Sequence, residues 1–186
     1  MSQLLVSRYQ REIADLMQFG GSSDESSIRK AFSNLLDNYS RPQGLRLVDE
    51  IEYVTRTGAK VYPDGTLKDA LRLTHGYWEA KDEADDLDQE IAKKRAKGYP
   101  TDNILFEDST QAVLYQHREE VMRCAVTDVG ALEKLLRLFF AYERPEIAGF
   151  RRAVEQFKTD LPAVLAALRD MIERQQADNP AFRGAA

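Results

Sequence analysis

Glu79, Ala80 and Lys81 stand in the stretch LKDALRLTHGYWEAKD, from Leu67 to Asp82, with Asp69 ten positions ahead of Glu79. In a strand, residues two apart share a face. Glu79 and Lys81 are therefore expected on one face, with Trp78 and Ala80 on the other. The alternation of Leu67 to Leu73 and the aromatics of Tyr77 to Asp82 suit two strands. A tight turn at Thr74-His75-Gly76 would join them and set Asp69 across from Lys81. Two carboxylates and an ammonium would then converge, an arrangement suited to a hard cation and a water nucleophile. The same trio could instead form a solvated hairpin face with cross-strand ion pairs.

The rest of the chain must position these groups. Its 186 residues suit one domain with a full core, or a domain with a helical extension. Hydrophobic content of 43% and charged content of 31% describe a soluble globular protein rather than a disordered one. The single cysteine, Cys124, rules out an internal disulfide and, among apolar neighbours, reads as a buried thiol. No signal-peptide apolar region opens the sequence, and no apolar run approaches the ~20 residues that span a bilayer. A cytoplasmic location is the default expectation. A net charge of −5 argues against a nucleic-acid coat protein but leaves room for local basic patches.

Helical spacing of Leu5, Tyr9, Ile13 and Leu16 predicts a first helix, stopped by Gly20-Gly21. Ser22 and Glu25 then form a capping-box pattern ahead of a helix striped with Ile28, Phe32, Leu35 and Tyr39. Leu45 to Thr57 reads as a strand. After the central hairpin, DEADDLDQEIAKKRAKG is a helix whose Lys93, Lys94, Arg95 and Lys97 either complement its dipole or touch DNA. Trp78 is expected to pack beneath it. Asn103 to Phe106, Gln111 to Gln116 and Val121 to Val126 are predicted strands. Asp128 caps a helix, Arg144-Pro145 interrupts it, and a further helix precedes a last one opened by Asp160. The tail DNPAFRGAA reads as a linker toward a following domain.

That order, with Asp69 and then Glu79-Ala80-Lys81 on the next strand, resembles the PD-(D/E)xK nuclease superfamily from Ser22 to Gln116. More narrowly, Glu25 heading an early helix, GYWEAKD, DLDQEI and DNILFEDSTQAVLY resemble the N-terminal nuclease domains of large single-chain bacterial restriction-modification enzymes. The resemblance implies an α/β (α+β) fold with a restriction-endonuclease-like core, a central mixed sheet flanked by helices. The nuclease core would occupy 1–126 and a helical C-terminal extension 127–186, as a fragment of a longer chain. The implied activity is Mg²⁺-dependent DNA cleavage, of type II or type I-like restriction character. DNA is the implied partner, with methyltransferase and recognition domains in the same polypeptide.

In that family's pattern Asp69, Glu79 and the Ala80 carbonyl hold the metal. Mg²⁺ binds through one or two carboxylates and keeps several waters. Lys81 would orient or deprotonate the attacking water. Glu25 would reach the site through a metal-bound water, if it is not committed to its capping box.

The superfamily's name expects Pro-Asp, and Pro63-Asp64 stands fifteen positions before Glu79. Turn chemistry favours Asp69 nonetheless, because Pro63-Asp64-Gly65 reads as a turn with Asp64 at a loop tip. With the turn at His75, Asp64 would also lie about 16 Å further along the strand. His75 and His117 fall in predicted turns without spaced partners, which argues against zinc. There is no phosphate-cradling glycine loop and no serine nucleophile elbow.

Two readings from other classes remain: a silent nuclease-fold module that binds DNA or protein, and an interaction domain dimerising through its terminal helices. Convergence of the acidic and lysine side chains on one cation site separates them from the nuclease. The chain alone is expected to bind DNA weakly and without sequence preference.

Overall fold

In the computed structural model, which describes residues 2–19, 25–82 and 85–178, the alternating segments build one six-stranded sheet. The helices are α1 (Ser2–Phe19), α2 (Glu25–Ser40), α3 (Leu87–Ala96), α4 (Val129–Phe140) and α5 (Pro145–Asp178). The strands are β1 (Arg46–Asp49), β2 (Tyr53–Val54), β3 (Lys60–Val61), β4 (Gly65–Lys68), β5 (Thr74–Ala80), β6 (Asn103–Glu107), β7 (Gln111–Gln116) and β8 (Glu119–Ala125). The sheet runs β1-β4-β5-β6-β7-β8, and β2 pairs with β3 apart from it. All neighbours are antiparallel except β5 and β6, which are parallel with α3 as their crossover. This is a restriction-endonuclease-like fold, as the resemblance implies.

Strand parity divides the core into two layers. Leu67, Trp78, Leu105 and Leu114 face Val6 and Tyr9 of α1, Phe32 and Leu36 of α2, and Leu132, Leu136 and Phe139 of α4. Tyr77, Ile104, Phe106, Val113 and Tyr115 face Leu87 and Ile91 of α3. Every residue of β6 is buried, as a central strand covered on both sides requires.

Trp78 does lie opposite Glu79, but it packs on α2 rather than under α3. Its ring stacks on Phe32 at a centroid distance of 6.0 Å. The residues β5 sends toward α3 are Tyr77 and Glu79. Cys124 is buried as expected, and burial pushes its thiol up to about 11.

Several expectations are corrected. Leu45 to Thr57 divides into β1 and β2, because Glu50 adopts a positive φ of 50° between them. The central turn lies at Asp69 to Leu73, not at Thr74-His75-Gly76, which open β5. Gly76 is there for space: a Cβ would lie 2.8 Å from Phe139 and 2.6 Å from the Asn103 side chain.

The chain divides into two compact units, Met1–Tyr142 and Glu143–Ala186, so α4 belongs with the core rather than with an extension beginning at 127. In the second unit the expected two helices form one, α5, with Pro162 inside it. One interior proline forfeits a single backbone hydrogen bond, which a helix of 34 residues can absorb. Exposed Phe157, Leu161, Val164, Leu168 and Met171 fall along α5 at three- and four-residue steps, with Phe150 one heptad before Phe157. Gly20-Gly21, Ser22 and the tail 179–186 lie outside the described residues. Among the described residues, no helix is long and apolar enough to cross a membrane.

Candidate active site at the open end of the central hairpin

The β4–β5 hairpin has a closed end and an open one. At the closed end Asp69 accepts hydrogen bonds from its own turn, from the backbone N–H groups of Leu71 (2.9 Å) and Leu73 (2.8 Å). Arg72 takes a positive φ of 63° to complete the loop. This is the local backbone capture at which a short acid excels. Asp69 therefore does not face Lys81, and its expected place beside Glu79 is corrected.

At the open end the antiparallel register pairs Gly65 with Trp78, which brings Asp64 alongside Glu79 and Ala80. The Ala80 N–H donates to Asp64 Oδ2 at 2.8 Å, and Arg29 of α2 pairs with Oδ1. Asp64, the residue ahead of β4, is thus the aspartate that the fold sets beside Glu79. Gly65 has no positive φ, so the Pro-Asp-Gly run is not the turn it resembles. The glycine answers a packing demand: a Cβ there would meet Leu47 at 2.7 Å and Trp78 at 2.9 Å.

Glu79 points to the α3 face and is 1% exposed. Its Oε1 accepts from Lys81 Nζ at 3.0 Å and also from Lys94 Nζ of α3. Its Oε2 is buried with no hydrogen-bond partner. Lys94 Nζ reaches the Tyr99 hydroxyl at 3.0 Å as well, and lies 4.4 Å from the centre of that ring. Burial works against the Lys94 ammonium, but its bonds to Glu79 and Tyr99 outweigh this and hold its pKa above the ordinary lysine value. The Lys81 N–H donates to the Glu107 carbonyl at 2.7 Å, which fixes the end of β5 on β6.

Burial, and then the neighbouring Glu79, raise the Asp64 carboxyl above its usual range, against the Ala80 N–H, Arg29 and Lys81. Two carboxylates crowded in a partly desolvated corner favour a shared cation. Among the described residues no three His, Cys, Asp or Glu side chains gather to hold a metal ion. Two carboxylates with water suffice for Mg²⁺, and the unpartnered Oε2 is an open oxygen donor, so the residues fit a hard divalent ion. Beside Asp64 a cleft of about 480 Å³ carries charge of both signs, with Arg29 and Lys30 joining Asp49, Glu50 and Asp64 in its lining.

Glu25 opens α2, but its side chain lies outside the described residues. His75 is in β5, with Nε2 at 3.3 Å from the Phe139 carbonyl, and takes no part in the site. Sequence reasoning missed Arg29, Lys94 and Glu107. Lys94 had a signal, since it follows Leu87 and Ile91 by seven and three residues and so shares their buried helix face. Glu107 is wholly buried next to this corner, and desolvation pushes its carboxyl up to about 8.

One solved chain shares this architecture closely. In the cryo-EM structure of a DrdV–DNA complex, a chain 48% identical to this one matches it with a TM-score of 0.83. The match covers 98% of this chain and 18% of that one, so this chain spans less than a fifth of that protein's length. A DUF820 protein from Anabaena variabilis matches 60% of this chain and 83% of its own at 11% identity, and its TM-score of 0.42 is too low to carry weight. No protein-family model and no curated protein matches the sequence.

Proposed function

We propose that this chain is the Mg²⁺-dependent DNA-cleaving module of a restriction-modification enzyme. The observation that carries this reading is the convergence of Asp64, Glu79 and Lys81 at one corner, with one buried carboxylate oxygen that has no hydrogen-bond partner. Asp64 and Glu79 would hold the ion, with the Ala80 carbonyl as the further ligand that the superfamily resemblance implies. The ion would supply Lewis-acid charge neutralisation and a more acidic water.

The protein's own groups do the rest. Lys81 lies within reach of a water beside Glu79 and can hold or accept its proton while offsetting charge on the phosphate. Arg29 and Lys30 line the adjacent cleft, together with Asp49, Glu50 and Asp64, and are the cleft groups that could meet a phosphate. DNA as the partner is supported by the likeness to a chain solved in a DNA complex. Most of that longer chain lies outside the match, which supports placing recognition and methyl transfer in further domains.

The silent-module reading requires splayed charges, whereas the Glu79 and Lys81 side chains lie 3.0 Å apart. The test is plasmid cleavage with Mg²⁺ and with EDTA, using the wild-type chain and Lys81→Ala. Nicking that requires Mg²⁺ and is lost in Lys81→Ala is expected. Failure to cut with Mg²⁺, or cutting that survives EDTA, would overturn the proposal.

A further inference from the structure

Lys93 and Lys94 are adjacent on α3 but do different things. Lys93 pairs with Glu90 and its side chain is 63% exposed, while the Lys94 side chain is 16% exposed and ends on Glu79. The difference follows from helix phase. Asp86 caps α3 by accepting from the Gln89 N–H, and Leu87 and Ile91 seat one face against the sheet. Lys94 is the next residue on that face, so its ammonium is delivered to the carboxylate beneath.

Glu79 is distributed unevenly between its partners. Two ammonium groups share Oε1, and Oε2 has none. A metal ion needs carboxylate oxygen at about 2.1 Å, and an ammonium hydrogen-bonded to the same group repels it. Lys94 is bonded at the same time to the hydroxyl and ring face of Tyr99, a partner it would keep if its bond to Glu79 were lost.

We propose that Lys94 is a positioning residue that occupies Glu79 as a built-in counter-ion and yields it to the divalent metal. This rests on the nuclease reading of the same corner. Lys94 keeps a buried carboxylate paired and oriented when metal is absent, and sets the metal concentration at which the site loads. Lys81 remains with Glu79 throughout, while Lys94 gives up its bond to Glu79 and keeps the one to Tyr99.

The experiment is calorimetric titration with Ca²⁺, which reports binding without turnover, on the wild type, Lys94→Met, Lys94→Arg, Lys93→Met and Asp64→Asn. Lys94→Met should bind Ca²⁺ about tenfold more tightly. Lys94→Arg should return to the wild-type value, and Lys93→Met should change it less than about twofold. Lys94→Gln serves in place of Lys94→Met if the methionine variant does not fold by circular dichroism. Wild-type binding that Asp64→Asn abolishes, with no gain in Lys94→Met, sinks this inference and leaves the metal site standing. Equal gains in Lys93→Met and Lys94→Met would also overturn it. If neither the wild type nor Lys94→Met binds Ca²⁺, the nuclease reading falls too.

Discussion

The two ends of the β4–β5 hairpin each carry an aspartate, five residues apart in sequence, and put them to opposite uses. At the closed end Asp69 is committed to the backbone N–H groups of Leu71 and Leu73. At the open end Asp64 is held by one N–H and an arginine, beside a buried glutamate. The first carboxylate is satisfied by its own turn. The second is pressed against another acid, which leaves it something to bind. An acid's neighbours, more than its distance along the chain from a motif, decide whether it is structural or chemical.

The largest expected effect tests that contrast directly. Asp64→Asn should lower Mg²⁺-dependent plasmid cleavage by about 10³-fold or more, the scale of losing a principal charge-stabilising group. Asp69→Asn should stay within about twofold of wild type. The opposite ranking would move the metal to the closed end and break the comparison.

Next in size is the packing beneath the open end. Trp78→Ala should cost about 3–5 kcal/mol by chemical denaturation, since Trp78 is 2% exposed and stacked on Phe32. Leu71→Ala at the closed end, where the side chain is 78% exposed, should cost less than about 0.5 kcal/mol. Comparable losses would mean that the two ends share one core.

Glu107 sharpens the electrostatic side. Its carboxyl is pushed up from 4.5 to about 8 by burial. Between those values the folded state holds a proton that the unfolded chain releases. Stability attributable to this group is therefore full below pH 4.5 and falls as pH rises toward 8. Glu107→Gln should remove that decline and add roughly 2–4 kcal/mol at pH 8 relative to wild type. Parallel stability–pH curves for the two proteins would show that Glu107 titrates normally.

The smallest effect belongs to the closed end. Asp69→Ala should cost about 1 kcal/mol of stability, the value of capping two turn N–H groups, with cleavage retained. A loss of cleavage without a loss of stability would contradict the structural role.

The sequence by itself determined the layered architecture and half of the site. The short apolar runs in Asn103 to Phe106 and Gln111 to Gln116, the helical spacing of Leu132, Leu135, Leu136 and Phe139, and the Asp128 cap were all legible, because each is a local pattern. So was the shared face of Glu79 and Lys81, which needs only the two-residue repeat of a strand. The turn was not legible. Gly76 and Gly65 looked like turn residues, yet both are small because Phe139, Asn103, Leu47 and Trp78 crowd them from elsewhere in the chain. That displaced the hairpin register and, with it, the choice of aspartate.

Only the tertiary structure decided which side of the sheet receives Trp78, that Lys94 rather than Lys93 reaches Glu79, and that Asp64 rather than Asp69 completes the corner. Each depends on contacts between residues 15 or more positions apart, where excluded volume and shared charge, not local propensity, select the partner.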